Sequence, residues 1–133
     1  MITGLVSLLT AEATITALVS TRVYVNKAPQ KAALPYIILT QLGSEEFKSL
    51  DATTSTLRML TLDIDCKADR FVEAESVANA VRVYLDDYSG TAGSYIIGAV
   101  LMNSERHDYE PPDDGSDIGL HVITLDLDIQ YNP

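Results

Sequence analysis

The sequence predicts an α+β fold: a mostly antiparallel sheet of about five strands, with short N-terminal helices and one long amphipathic helix packed on one face. Two observations carry this prediction. Apolar and polar residues alternate in segments 60–66 and 123–131, as in strands with one solvent-facing side. Between these segments, apolar residues recur at three- and four-residue steps from Ala74 to Tyr88, as in a core helix.

The N-terminal part of the chain is predicted to contain one short helix, then a turn or a second short helix, and then one strand. Apolar residues recur at helical spacing in residues 2–9, and a second apolar cluster occupies residues 13–19. Residues 21–25 are rich in β-branched and aromatic side chains, which favours a strand. Pro29 and Pro35 then bound a loop, because proline removes a backbone donor and holds its predecessor in extended geometry.

The remaining strands flank the long helix. Residues 36–42 are almost continuously apolar, as in a strand covered on both faces. In the strand at 60–66, the opposite phase of Leu57 and Met59 indicates a bulge near residue 59. Asp69 is placed to cap the helix, and glycines at 90 and 93 to end it.

The strand at 95–102 is predicted to be buried, with Gly98 at a bulge or at a close contact, and the strand at 123–131 completes the sheet. No stretch of linker-like composition divides the 133 residues. We therefore expect a single domain over residues 1–133.

Two long polar stretches, 43–56 and 103–119, are predicted to be arms that contact neighbouring proteins. The first separates two strands, as a long hairpin does. The second contains two adjacent prolines and an acidic run. The charged side chains of the arms are candidate interaction residues: Glu45, Glu46, Lys48, Asp51, Asp113, Asp114 and Asp117.

The chain is strongly acidic, since 9 Lys and Arg stand against 19 Asp and Glu for a net charge of −10. A surface of this sign repels the phosphates that supply most nucleic-acid affinity, which excludes tight DNA binding. It is compatible with a channel through which DNA slides without sticking. With 47% hydrophobic residues, the chain has enough apolar material for a core.

The N-terminal segment and the single cysteine indicate a soluble protein made in the cytoplasm. Residues 1–21 contain no Lys or Arg and are interrupted by Glu12, so we expect neither a signal peptide nor a membrane span. Cys66 is the only cysteine, which rules out an internal disulfide and fits a reducing compartment. Its place in the strand pattern predicts a small core residue rather than a nucleophile.

Four aspartates lie on the polar sides of two strands: Asp63, Asp65, Asp126 and Asp128. If the strands are neighbours, these carboxylates form an acidic patch. The patch is interpreted first as a solvated sheet face, and second as a surface that faces a channel or another subunit. Acid–base catalysis of the glycosidase kind is disfavoured, because it needs two carboxylates in different environments and these look alike.

No residue set predicts catalysis, a cofactor or a metal site. A nucleophilic triad would need His107 or His121 with a serine such as Ser104 or Ser116, and the chain contains no Gly-x-Ser-x-Gly pattern. The acidic run 113–117 lacks the ligand spacing and terminal glutamate of an EF-hand, which favours a solvated loop. We predict a protein that is not an enzyme.

Over nearly its whole length the chain resembles the tail-completion family of small phage and prophage proteins. The resemblance lies in the order and spacing of several segments: the opening 1–10, Ala28-Pro29-Gln30, Leu34-Pro35-Tyr36-Ile37, the helix after Ala68-Asp69, Tyr109-Glu110-Pro111, Asp114-Gly115-Ser116 and Gly119-Leu120. It implies an α+β tail terminator that forms a ring, usually hexameric. Such a ring caps the tail tube and presents a docking surface to the head connector.

The resemblance also implies the partners and the location. These are further copies of the chain, the tail tube protein and the head connector protein at the tail–head junction of the virion, with no catalytic residues. DNA would pass through the ring without specific binding. The alternatives are another neck or head-completion protein, and an acidic adaptor that presents its carboxylates to a basic partner.

Overall fold

The computed structural model describes residues 1–48, 56–111 and 119–132. It contains three helices and six strands. In chain order these are α1 (Ile2–Ala11), α2 (Ala13–Val19), β1 (Val23–Val25), β2 (Tyr36–Lys48), β3 (Thr56–Ala68), α3 (Phe71–Leu85), β4 (Gly90–Ala92), β5 (Tyr95–Glu110) and β6 (Leu120–Asn132).

All six strands belong to one sheet, in the order β1-β2-β3-β6-β5-β4. β1 pairs with β2 in parallel, and every other neighbouring pair is antiparallel. The α+β class is thus confirmed, whereas two expectations are corrected. The sheet has six strands rather than about five, and the helices are three in number, with no unusually long helix beside the short N-terminal ones. The extra strand is the three-residue β4, which falls where the glycines predicted only the end of a helix. The third helix has 15 residues, close to the average length in globular proteins.

The helices cover one face of the sheet. Alternate residues of β3 and β6 point toward them and are fully buried, namely Leu60, Leu62, Ile64, Cys66, Ile123, Leu125, Leu127 and Ile129. They pack against apolar side chains from all three helices, including Leu5, Leu9, Ile15, Val19, Val77, Val81 and Leu85. The core therefore lies on one side of the sheet, and none of the helices in the described part of the chain lies on the other side, which we call the helix-free face.

The N-cap residue of α3 lies one residue later than predicted. Arg70, not Asp69, is the N-cap residue, and its side chain makes no capping hydrogen bond. The first helical backbone bond runs from the Ala74 amide to the Arg70 carbonyl at 3.1 Å. Glu73 supplies the favourable acidic charge in the first turn.

Both predicted arms contain regular strand. Residues 43–48 pair with residues 56–61 as the far end of the β2–β3 hairpin. Residues 103–110 are not a loop, because they form the second half of β5 along β6. This half is exposed almost throughout, so it lacks the apolar alternation by which strands are recognised.

The bulges lie on β2 and β5. The predicted bulge near residue 59 is wrong: the register shifts at Leu42 of β2, while β3 stays regular and places Met59 on the helix-free face. The predicted bulge at Gly98 is confirmed, and a second shift in β5 leaves Asn103 unpaired. Bulges bend the strands that contain them, so we expect local bends in β2 and β5.

The two N-terminal helices are predominantly apolar. Within the described residues no single helix has the length and composition to cross a membrane. α1 and α2 meet that test only as a pair, and the chain turns by 90° between them.

Candidate functional site

The four predicted aspartates lie together on the helix-free face of the sheet, because β3 and β6 are neighbours. Asp63 stands directly opposite Asp126, and both carboxylates are partly buried. The positions on either side pair an aspartate with a threonine. We call the four residues Asp63, Asp65, Asp126 and Asp128 the acidic face.

The outer two aspartates are held by hydroxyl and amide donors from neighbouring strands. Thr124 Oγ1 donates to Asp65 Oδ1 at 2.6 Å, and this threonine is only 4% exposed. Thr61 Oγ1 donates to Asp128 Oδ1 at 2.9 Å, and Asn103 Nδ2 donates to Asp128 Oδ2 at 3.1 Å. These bonds fix the carboxylates in place and offset part of the cost of burying them.

The central pair has no such donors. Oδ1 of Asp63 and Oδ1 of Asp126 are buried and have no hydrogen-bond partner among the described residues. The nearest cation is Arg106, whose Nη2 lies 3.9 Å from Asp63 Oδ2. Burial raises the pKa of Asp63 above its usual value, the charge of Asp126 raises it further, and Arg106 opposes both. A proton held between the two carboxyls would supply the missing hydrogen bond.

The described residues bring together no nucleophile and base. Ser104 pairs with Asp126 and so faces the helix-free side, whereas His107 pairs with Ile123 on the opposite side. Burial raises the pKa of the Cys66 thiol, which keeps it protonated in the core. Within residues 1–48, 56–111 and 119–132, no group of three or more His, Cys, Asp or Glu side chains is arranged to hold a metal ion.

The predicted interaction residues divide into two groups. Glu45 and Glu46 are exposed on β2, and Glu46 forms an ion pair with Arg58 of β3 at 3.3 Å. Lys48 is the last residue of β2. The other four, Asp51, Asp113, Asp114 and Asp117, lie outside the described residues.

Sequence reasoning missed the threonines that bind the acidic face, although the sequence carries a signal for them. Thr61-Leu62-Asp63-Ile64-Asp65 and Thr124-Leu125-Asp126-Leu127-Asp128 have almost the same pattern. Antiparallel pairing centred on the middle aspartates sets each threonine opposite an outer aspartate of the other strand. Asn103 and Arg106 were missed because they lie in the segment predicted to be a loop.

A family model and a solved structure match the chain. The family model described as "Tail completion protein gp17" matches residues 3–131. A chain of the solved structure described as "Virion of native gene transfer agent (GTA) particle" superposes with a TM-score of 0.66 at 19% identity, covering 96% of this chain and 90% of that chain. At this identity the likeness shows a shared fold. No curated protein matches the chain.

The family match extends over nearly the whole chain, well beyond the sheet alone. The chain belongs to the tail completion protein gp17 family and is a structural protein of the phage tail.

Proposed function

We propose that this protein is a tail terminator, a ring of six copies that caps the finished tail tube and presents a docking surface to the head connector. The observation that carries the proposal is the family match over residues 3–131. The shared fold with a chain of a gene transfer agent virion supports a place in a phage particle. The ring and its count of six rest on the resemblance of the sequence to terminator proteins.

The position of the protein in the particle distinguishes a terminator from other neck proteins. We expect a labelled copy to appear at one end of headless tails isolated from a host in which head assembly is blocked. A host in which tail assembly is blocked provides the control, because its heads should carry no label. Label on tailless heads would instead identify a head-completion protein.

We further propose that the acidic face lines the bore of the ring. Its partly buried carboxylates give DNA a wall that repels phosphate, and the nearest cation, Arg106, lies 3.9 Å from the Asp63 carboxylate. In this proposal the ring surrounds the DNA as it passes through and catalyses no reaction.

Replacing Asp126 with lysine tests the bore assignment. The substitution turns the like-charged pair with Asp63 into an ion pair, so we expect the fold to persist while the wall gains a phosphate-binding group. DNA ejection from particles that carry Asp126→Lys should be slower. Glu75→Lys, an exposed site on α3, is the matched control and should eject at the normal rate. Equal rates for both variants would contradict the bore assignment.

A further inference from the structure

Two long strands of the sheet have edges that are only partly paired. β1 covers β2 at Ile37–Leu39 and no further, and β4 covers β5 at Tyr95–Ile97 and no further. Among the described residues, no other strand pairs with the outer side of β2 or β5. Unpaired backbone donors and acceptors on such edges are ready to pair with a strand of another chain.

The two free edges have the directions needed for pairing between copies of the chain. β2 pairs antiparallel with β3, β3 with β6 and β6 with β5, so β2 and β5 run in opposite directions within the sheet. When two copies with the same orientation stand side by side, β2 of one copy and β5 of the next are therefore antiparallel. Such a junction joins two different surfaces, which is the type that closes into rings.

The short strands β1 and β4 determine the register of this junction. Thr40, the first residue of β2 beyond β1, stands at the same level of the sheet as Ser104 of β5. If two copies paired without a shift in register, Ser104 of one copy would stand opposite Thr40 of the other. Residues 105–110 of the first copy would then overlap β1 of the second. The collision is avoided when β5 slides by six residues, so that its last residue, Glu110, stands opposite Thr40.

We propose that the free edge of β2 (Thr40–Lys48) in one copy pairs antiparallel with the edge Met102–Glu110 of β5 in the next copy, with Glu45 opposite Arg106. We call this contact the staggered junction. It rests on the proposed ring and names the surface that builds it. Each of the two segments contains nine residues, one of which is bulged out of its own ladder: Leu42 on β2 and Asn103 on β5.

Side chains across the staggered junction are complementary. Glu45 and Arg106 are both exposed and carry opposite charges, and both belong to the helix-free face. The exposed Leu42 comes next to the exposed Tyr109, so the junction removes apolar surface from water. Glu46 stands opposite Glu105, and each already has an arginine partner within its own chain, Arg58 and Arg82 respectively.

The stagger also suits a closed sheet. Closing a sheet into a barrel requires a shift in register between its ends, and a shift by an even number of residues keeps the same face inward. A shift of six therefore joins all helix-free faces on one side of the ring. The acidic faces of successive copies then form one continuous surface.

Disulfide trapping tests the register. Ser44 and His107 are directly opposite in the staggered junction, at a spacing that a disulfide spans. On oxidation, the double variant Ser44→Cys, His107→Cys should form a series of disulfide-linked oligomers, from the dimer up to the complete ring. Each single variant should stay uncrosslinked, and the native Cys66 is buried and does not interfere.

Charge reversal tests the same junction without covalent chemistry. Glu45→Arg and Arg106→Glu each place like charges opposite one another, so each should raise the concentration needed for half-assembly by about threefold to tenfold. Mixing the two variants restores opposite charges at every mixed junction and should restore assembly. Glu75→Arg on α3 is the control and should assemble normally.

The mass of the unmodified protein, free and bound to tail tubes, separates failure of the junction from failure of the ring. If the protein forms a ring but the double variant gives no disulfide-linked species, the staggered junction is wrong and the proposed terminator still stands. The same holds if the ring is crosslinked by Thr40→Cys with Ser104→Cys instead. A dimer trapped by a single cysteine variant overturns it in favour of a two-fold contact. A protein that is monomeric both free and on tubes overturns the ring and the junction together.

Discussion

At the scale of single residues, the acidic face is a row of three cross-strand pairs, of which only the outer two contain a hydrogen bond. Two pairs join an aspartate to a threonine hydroxyl at 2.6 and 2.9 Å. The middle pair joins Asp63 to Asp126 without a donor. Like charges that face each other across two strands destabilise the sheet, so the middle pair is a local cost in the isolated subunit.

Replacing Asp63 with asparagine should stabilise the subunit. The amide removes one of the two facing charges and supplies a donor to Asp126, so we expect the free energy of unfolding at pH 7 to rise by about 0.5–1 kcal/mol. Urea unfolding of dilute protein measures the change. Glu75→Gln, on the exposed side of α3, should leave the free energy of unfolding within about 0.5 kcal/mol of the parent value. A loss of stability in Asp63→Asn would contradict the account.

The advantage of Asp63→Asn should depend on pH in a defined direction. The raised pKa of Asp63 means that the folded protein binds this proton more readily than the unfolded chain, whose aspartates titrate near about 3.9. The cost of this group is therefore greatest above the raised pKa and is relieved as pH falls from that value toward about 3.9. Unfolding titrations of both proteins should converge over that window. An advantage that grows on acidification would contradict the assignment.

In the outer pairs, removal of a side-chain polar group should destabilise the subunit rather than stabilise it. Thr124→Val keeps the shape of a nearly buried side chain but removes the hydroxyl that donates to Asp65, so we expect a loss of about 1–2 kcal/mol in the free energy of unfolding. Thr91→Val, at an exposed site on β4, is the matched control and should change little. Equal behaviour of the two variants in urea unfolding would show that the bond is not stabilising.

At the scale of elements, α1 approaches the sheet edge closely because of Gly4. A Cβ at this position would lie 2.7 Å from the carbonyl oxygen of Ala92 in β4, a backbone atom that cannot move away freely. Alanine is the better helix former by about 1 kcal/mol, yet the clash should outweigh this gain.

Gly4→Ala should therefore destabilise the protein by about 1–2 kcal/mol in urea unfolding. Ser7→Ala on the exposed side of the same helix is the control, and it should be neutral or slightly stabilising because it meets no obstacle. A stabilised Gly4→Ala would mean that α1 does not pack on β4 at this distance.

Strands could be predicted from the sequence where one face is buried and the other is exposed to solvent. β3 and β6 carry this alternation, and Gly98 marked its bulge. The second half of β5 was missed because exposure on both faces leaves no periodic signal. β4 was missed because three residues contain too little pattern, and the parallel pairing of β1 depends on contacts distant in sequence.

At the scale of the whole molecule, the sequence predicts which residues form the acidic face but not how they are arranged. The four aspartates were recognised from their strands, whereas their pairing depends on the register that joins β3 to β6. The free edges of β2 and β5 are properties of the sheet order, which no local pattern encodes. The net charge of −10 means that the average surface repels nucleic-acid phosphates.

The central claim is that copies of this chain form a ring on the end of the tail tube. Electron microscopy of purified tail tubes incubated with the protein tests it most directly. The account predicts a six-fold ring at one end of each tube, with the helices outside and the acidic faces lining the bore. Tubes with bare ends, or protein bound along their sides, would contradict it.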